Sequence, residues 1–152
     1  MQVVCMSIFK NILRKIEQEM PFLIMKKSDD GLMVEFVIDV NTSVQLNNDE
    51  RWVYLEAEIL CLSEWDQLAS VFQVELLRHA YRLMSVDSAL IYLDKTSNVI
   101  KLFRSVSSLD SFKFDEVFWR FLSLLRAYRA VCEGILAEEH KVKNNVVIGN
   151  TV

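Results

Sequence analysis

Between Asp29 and Leu62 the chain reads DDGLMVEFVIDVNTSVQLNNDERWVYLEAEILCL. Asp29-Asp30-Gly31 is a turn signal. From 32 to 40 the residues alternate, with Leu32, Val34, Phe36, Ile38 and Val40 on one side and Glu35 and Asp39 on the other. A period of two predicts a strand with one face buried. Thr42 to Leu46 predicts a second, shorter strand. The polar run 47–50 is a turn, and Arg51 to Leu62 is a third strand. Its Val53, Leu55, Ala57, Ile59 and Cys61 share one face, and Trp52, Tyr54, Glu56 and Glu58 share the other.

On the N-terminal side, Ser7 to Met20 sets Ile8, Phe9, Ile12, Leu13 and Ile16 at helical spacing among Lys10, Arg14, Lys15 and Glu17, which predicts an amphipathic helix. Ser7 is its expected N-cap, and Pro21 ends it by disfavouring helical geometry at Met20. Phe22 to Met25 reads as a strand or an extended lead-in. On the C-terminal side, Ser63 opens a long helix to about Met84, with Asp66 completing a capping box. Its apolar residues form two stripes, one with Trp65, Leu68, Phe72, Leu76 and Leu83, the other with Val71, Val74, Leu77, Tyr81 and Met84. One sheet covers one stripe, so this helix needs a second partner, another helix or another subunit. Ala89–Leu93 and Val99–Arg104 form a hairpin around 94–98. Ser105–Ser111 is a linker, and Phe114 to about Ala137 is the last helix. The expected fold class is α+β: a single domain over 1–137 in the order α-β-β-β-α-β-β-α, with three helices on a twisted, mainly antiparallel sheet. A polar, flexible tail follows at 138–152.

The 152 residues suffice for one domain with a real core. A hydrophobic fraction of 52% with 25% charged residues excludes intrinsic disorder. With Gly 3 and Pro 1, proline-rich and collagen-like tracts are excluded, and long elements are expected over a many-turned sandwich. The net charge of −4 and the absence of a Lys/Arg block leave no phosphate-binding face, so no nucleic-acid partner is expected. Cys5, Cys61 and Cys132 lie far apart without a Cys-x-x-Cys pair and read as thiols in a reducing compartment. No signal peptide and no apolar run of membrane length is recognisable, so no membrane insertion is expected. The cytoplasm is the expected location.

Reactive constellations are sparse. Glycine at 31, 134 and 149 cannot build a phosphate-cradling loop. His79 follows Glu75 by four residues, a helix-surface pair; as a general base it would need a nucleophile that the sequence does not place. His140 lies in the polar tail. Glu56 and Glu58 read as the solvent face of a strand, and Glu64 and Asp66 as charge favoured in a first helical turn, rather than as metal ligands. Trp52, Trp65 and Trp119 read as core or interface. The chain is therefore expected to have no catalytic residue, no metal and no cofactor. What remains is apolar surface in excess of what one small sheet covers, with a strand edge that an extended peptide can join.

Several stretches together resemble the class I type III secretion chaperones, the CesT-like or Tir-chaperone family. They are Gly31–Asp39 (GLMVEFVID), Thr42–Leu46 (TSVQL), Trp52–Ile59 (WVYLEAEI), Leu76–Ala80 (LLRHA), Ala89–Asp94 (ALIYLD), Val99–Leu102 (VIKL) and the final helix around Phe121–Arg129. The resemblance spans about Ser7 to Leu136. Where many members carry Gly before the fourth strand, this chain has SVDS at 85–88. The resemblance implies a bacterial cytoplasmic protein without enzymatic activity, which binds the extended N-terminal segment of one or more secreted effectors without ATP and keeps them export-competent. It implies a homodimer, or a heterodimer with a second chaperone, formed largely through the central helix. Expected at the dimer interface are Val71, Val74, Glu75, Arg78 and Tyr81; expected in effector grooves are Ile8, Ile12, Phe36, Val44 and Leu46. The alternative from the residues alone is a small-molecule-binding or regulatory α+β domain with a closed internal pocket.

Overall fold

A computed structural model describes residues 2–49, 51–61, 70–84 and 88–149. In chain order the elements are α1 (Gln2–Glu19), β1 (Ile24–Lys27), β2 (Met33–Asp39), β3 (Thr42–Asn48), β4 (Val53–Cys61), α2 (Ser70–Met84), β5 (Leu90–Asp94), β6 (Val99–Ser105), α3 (Ser108–Phe112) and α4 (Phe114–Gly149). The strands form one antiparallel sheet in the order β1-β2-β3-β4-β6-β5. This is the expected α+β class, with a sixth strand at the β1 edge and a short helix before the last one.

The core lies between one face of the sheet and the helices α1 and α4. Alternation puts Val34 and Phe36 of β2, Val44 and Leu46 of β3 and Val53, Leu55, Ala57 and Ile59 of β4 on that inner face. From α1 come Cys5, Phe9, Ile12, Ile16 and Met20; from α4 come Phe114, Val117, Phe118, Phe121, Leu125, Tyr128 and Cys132, all buried at helical spacing. Phe118 is the hinge of the packing: its ring meets Phe36 edge-on at 5.3 Å and lies 6.0 Å from Phe114. Burying such rings contributes a few kcal/mol each.

All four hairpins are closed by an aspartate. The Oδ1 of Asp30, Asp39, Asp49 and Asp94 accepts the backbone N–H two residues on, from Leu32, Asn41, Arg51 and Thr96, at 2.7–3.0 Å. These are Asx turns. They explain how a chain with so little Gly and Pro makes a six-stranded sheet. Where backbone freedom is needed, Gly31 takes φ 70 and Asn98 takes φ 56.

Pairing between β3 and β4 extends only over Gln45–Asn48 against Val53–Glu56. Beyond it the strands part, and Arg129 of α4 ties them together. Its Nε and Nη2 donate to the Glu58 carbonyl at 3.1 and 2.7 Å, and its Nη1 donates to Thr42 Oγ1 and the Asn41 carbonyl at 2.8 and 3.2 Å.

Several boundaries differ from the sequence reading. The first helix starts at Gln2, so Ser7 lies inside it and is no cap. Its end before Pro21 agrees, with Met20 N–H bonded to the Ile16 carbonyl. The hairpin loop is 95–98, since Asp94 pairs with Val99. Part of the expected linker is α3, held by a capping box in which Ser107 Oγ accepts from Asp110 N–H and Asp110 Oδ2 accepts from Ser107 N–H. The last helix, expected to end at about Ala137, continues through Gly149. Ser63, Glu64, Trp65, Asp66 and Leu68 lie outside the described residues.

Candidate partner-binding surfaces

Helix α2 buries Leu76 and Ala80 against α4 and β5. Its opposite face is apolar and open: Val74 is 52% exposed, Leu77 57% and Tyr81 77%. Of the expected dimer residues, Val74 and Tyr81 therefore lie on this open face. Glu75 and Arg78 pair with each other beside it, Nη1 to Oε1 at 2.6 Å, so Glu75 engages Arg78 three residues on rather than His79. Val71 belongs to α2, and its side chain lies outside the described residues. Leu77, on the same sequence stripe as Val74 and Tyr81, joins them on this face.

The expected groove residues have a different place. Ile12, Phe36, Val44 and Leu46 are each 0% exposed, closed between α1 and the inner face of the sheet, and Ile8 is half-buried against the same core. The structure brings the five together as core, and a partner would touch the first four only by opening it. The packing of α1 against the sheet decides their place.

Apolar surface is open elsewhere. Phe22, in the turn after α1, stacks on Trp119 of α4 with centroids 6.2 Å apart and planes 14° from parallel. Both are exposed, as are Ile24 on the β1 edge strand and Leu109 and Phe112 on α3. Lys15 Nζ binds the Phe112 carbonyl and pairs with Glu19 and Asp115 at 3.4 and 3.7 Å, joining α1, α3 and α4 behind this patch. At the N-terminal end of α1, Val3 and Met6 line a second open cleft with Lys10 and Arg14.

The outer face of the sheet is mixed. Glu56, expected to be solvated, is buried there: its Oε1 accepts from Tyr92 Oη at 2.7 Å and pairs with Lys101 Nζ at 2.7 Å, and Lys101 also reaches Asp94 Oδ2 at 2.8 Å. Burial, and then the bond to Glu56, push the Tyr92 hydroxyl well above its ordinary pKa. Burial works against the Lys101 ammonium, but its bonds to Asp94 and Glu56 outweigh that and hold its pKa high. The bond from Lys101 holds the Asp94 carboxyl far below the carboxylate range. The network ties β4, β5 and β6 together across the outer face. No helix of the described residues is long and apolar enough to cross a membrane.

The sequence matches no family model and no curated protein. Solved structures do match. A chain of the HopA1–SchA chaperone–effector complex superposes with a TM-score of 0.62 at 15% identity, covering 81% of this chain and 94% of that one. A chain of the ExsC–ExsE complex superposes with a TM-score of 0.61 at 13% identity, covering 86% and 96%. At these identities the likeness establishes the fold. This chain therefore shares its fold with a chain of each of these two complexes.

Proposed function

We propose that this chain is an ATP-independent, non-enzymatic chaperone of the bacterial cytoplasm, which binds the extended N-terminal segment of a secreted effector and keeps it competent for type III export. The observation that carries this reading is the shared fold, which spans nearly the whole of a chain from a chaperone–effector complex. The surfaces support it. An unfolded segment loses conformational entropy on binding and needs a large apolar and main-chain surface in return. Two such surfaces are present besides the α2 face: the β1 edge with Phe22, Ile24 and Trp119, and the cleft beside Val3 and Met6.

In this reading the α2 face, with Val74, Leu77 and Tyr81 beside the Glu75–Arg78 pair, is the dimer contact, between two copies or with a second chaperone. A twofold contact sets one stripe against itself and doubles the effector surface. The buried Ile12, Phe36, Val44 and Leu46 then shape the effector grooves from below, and residues such as Phe22 and Ile24 make the contacts. The ligand-binding alternative expects a closed pocket, whereas the apolar clefts on α1 and on the outer face open to solvent.

The test is light scattering on the purified chain, then mass spectrometry of proteins retained from the native host and limited proteolysis of the complex. Expected are a particle near 35 kDa, twice the 17.7 kDa chain, and a retained protein whose N-terminal segment alone is protected. A monomer at micromolar concentration that retains no protein overturns the reading.

A further inference from the structure

On the outer face, four aromatic side chains gather around carboxylates. Tyr54 of β4 and Phe103 of β6 lie with centroids 5.0 Å apart, and Tyr92 of β5 meets Phe103 edge-on at 6.3 Å. With Trp52, which is 57% exposed, they line an open cleft of about 400 Å³ that also holds Asp49 and Glu56. Aromatic rings on a solvent face are costly to leave uncovered, and here they are concentrated in one recess.

The charges in the recess have one sign. Both bonds to Glu56 fall on Oε1, and both turn bonds to Asp49 fall on Oδ1. Glu56 Oε2 and Asp49 Oδ2 hold no bond among the described residues. Lys101 is shared between Glu56 and Asp94, and Asp49 adds a further carboxylate to the recess that pairs with no cation among the described residues. Ring faces and carboxylates together attract a cation, and a planar guanidinium satisfies both at once by stacking and by donating N–H groups.

The neighbouring strand suggests how that cation arrives. Among the described residues β5 is the last strand of the sheet, paired on one side only, with β6. An extended segment lying along it would send alternate side chains onto the outer face. We propose that this cleft is a specificity pocket for an arginine side chain of an extended partner segment laid along β5. The proposal rests on the peptide-binding reading above and adds a chemical requirement to the partner: a basic residue flanked by strand-forming ones.

The test uses the full chain and the peptide acetyl-Thr-Val-Arg-Val-Thr-amide, against the same peptide with neutral citrulline in place of arginine. Binding is followed by NMR of the aromatic side chains. The arginine peptide is expected to shift the Tyr54, Tyr92 and Phe103 rings saturably, and to bind about tenfold more tightly than the citrulline peptide. Trp52→Ala, an exposed position that leaves the core intact, is expected to weaken it about fivefold. Equal affinity for the two peptides, shifts confined to α2 or the β1 edge, or no saturable shift up to about 10 mM overturns the pocket. An effector retained equally by wild type and Trp52→Ala, with the cleft rings unshifted, overturns the pocket and leaves the chaperone reading standing. An arginine-selective cleft in a monomer that retains no protein supports the pocket and overturns the chaperone reading.

Discussion

Single residues fix the sheet at points that regular pairing does not reach. Arg129 spans the opening between β3 and β4, donating to the Asn41 and Glu58 carbonyls and to Thr42 Oγ1. A lysine cannot reproduce that fork. Arg129→Lys is expected to cost about 2 kcal/mol, the range of hydrogen bonds made by a charged donor, measured as a drop in the urea midpoint with unchanged slope. Gly31 works by backbone alone: at φ 70 a Cβ would meet nothing within 4 Å. Gly31→Ala should therefore cost only the left-handed penalty of about 1–2 kcal/mol, read from thermal unfolding. Neither role was legible as such. The sequence marks Gly31 as a turn, but nothing in it links Arg129 to residues 41 and 58, because that contact depends on the angle at which α4 crosses the sheet.

At the level of elements, the alternation of residues 32–61 located β2, β3 and β4 to within about two residues, because half-buried strands carry period two in their composition. Element β1 was harder. Its four residues include two lysines, too few for a period, and its strand geometry comes from pairing with Val34–Val37. The helix α1 starts before Ser7 because Cys5, four residues before Phe9, continues the buried stripe N-terminal to it, a stronger signal than a polar residue that can cap. The Asx turns make the hairpins acid-sensitive. A side-chain bond from Ser28 and a backbone bond from Leu32 lower the pKa of Asp30, and the N–H of Asn41 lowers that of Asp39. Groups with depressed folded pKa values contribute stability above the ordinary value of 3.8 and lose it as pH falls through the folded value. Unfolding midpoints should hold from pH 7 to about pH 4 and decline below it. Asp30→Asn, which keeps the turn acceptor but cannot titrate, should flatten part of that decline; an equally steep decline in the variant would remove Asp30 from the account.

For the whole molecule, the question is which apolar faces remain after the core is built. The core takes the inner sheet face, the α1 stripe and the first six turns of α4. It leaves Val74, Leu77 and Tyr81 on α2 and the Phe22–Trp119 stack beside β1. If α2 makes the dimer, Val74→Asp should halve the particle mass in light scattering, since a charge without a partner would be buried at the contact. An unchanged mass with native circular dichroism would move the contact off this face. The same substitution in a monomer would be nearly silent, because Val74 is already half open to solvent.

By itself the sequence determined the class of the fold: its strand periods and its two-striped central helix are properties of local order along the chain. Only the tertiary structure decided what each apolar face meets. Alternation tells that Phe36, Val44 and Leu46 belong to one buried side, and helical spacing does the same for Ile12, whether the cover is a partner or the chain itself; here the sheet and the helices α1 and α4 close on one another. The tertiary structure also decided that Glu56 is buried with Tyr92 and Lys101 rather than solvated, and that Tyr54, Tyr92 and Phe103, from three strands, form one recess with Trp52. Those assignments depend on contacts between residues up to about ninety apart in the chain, set by strand order and helix crossing, which no local period encodes.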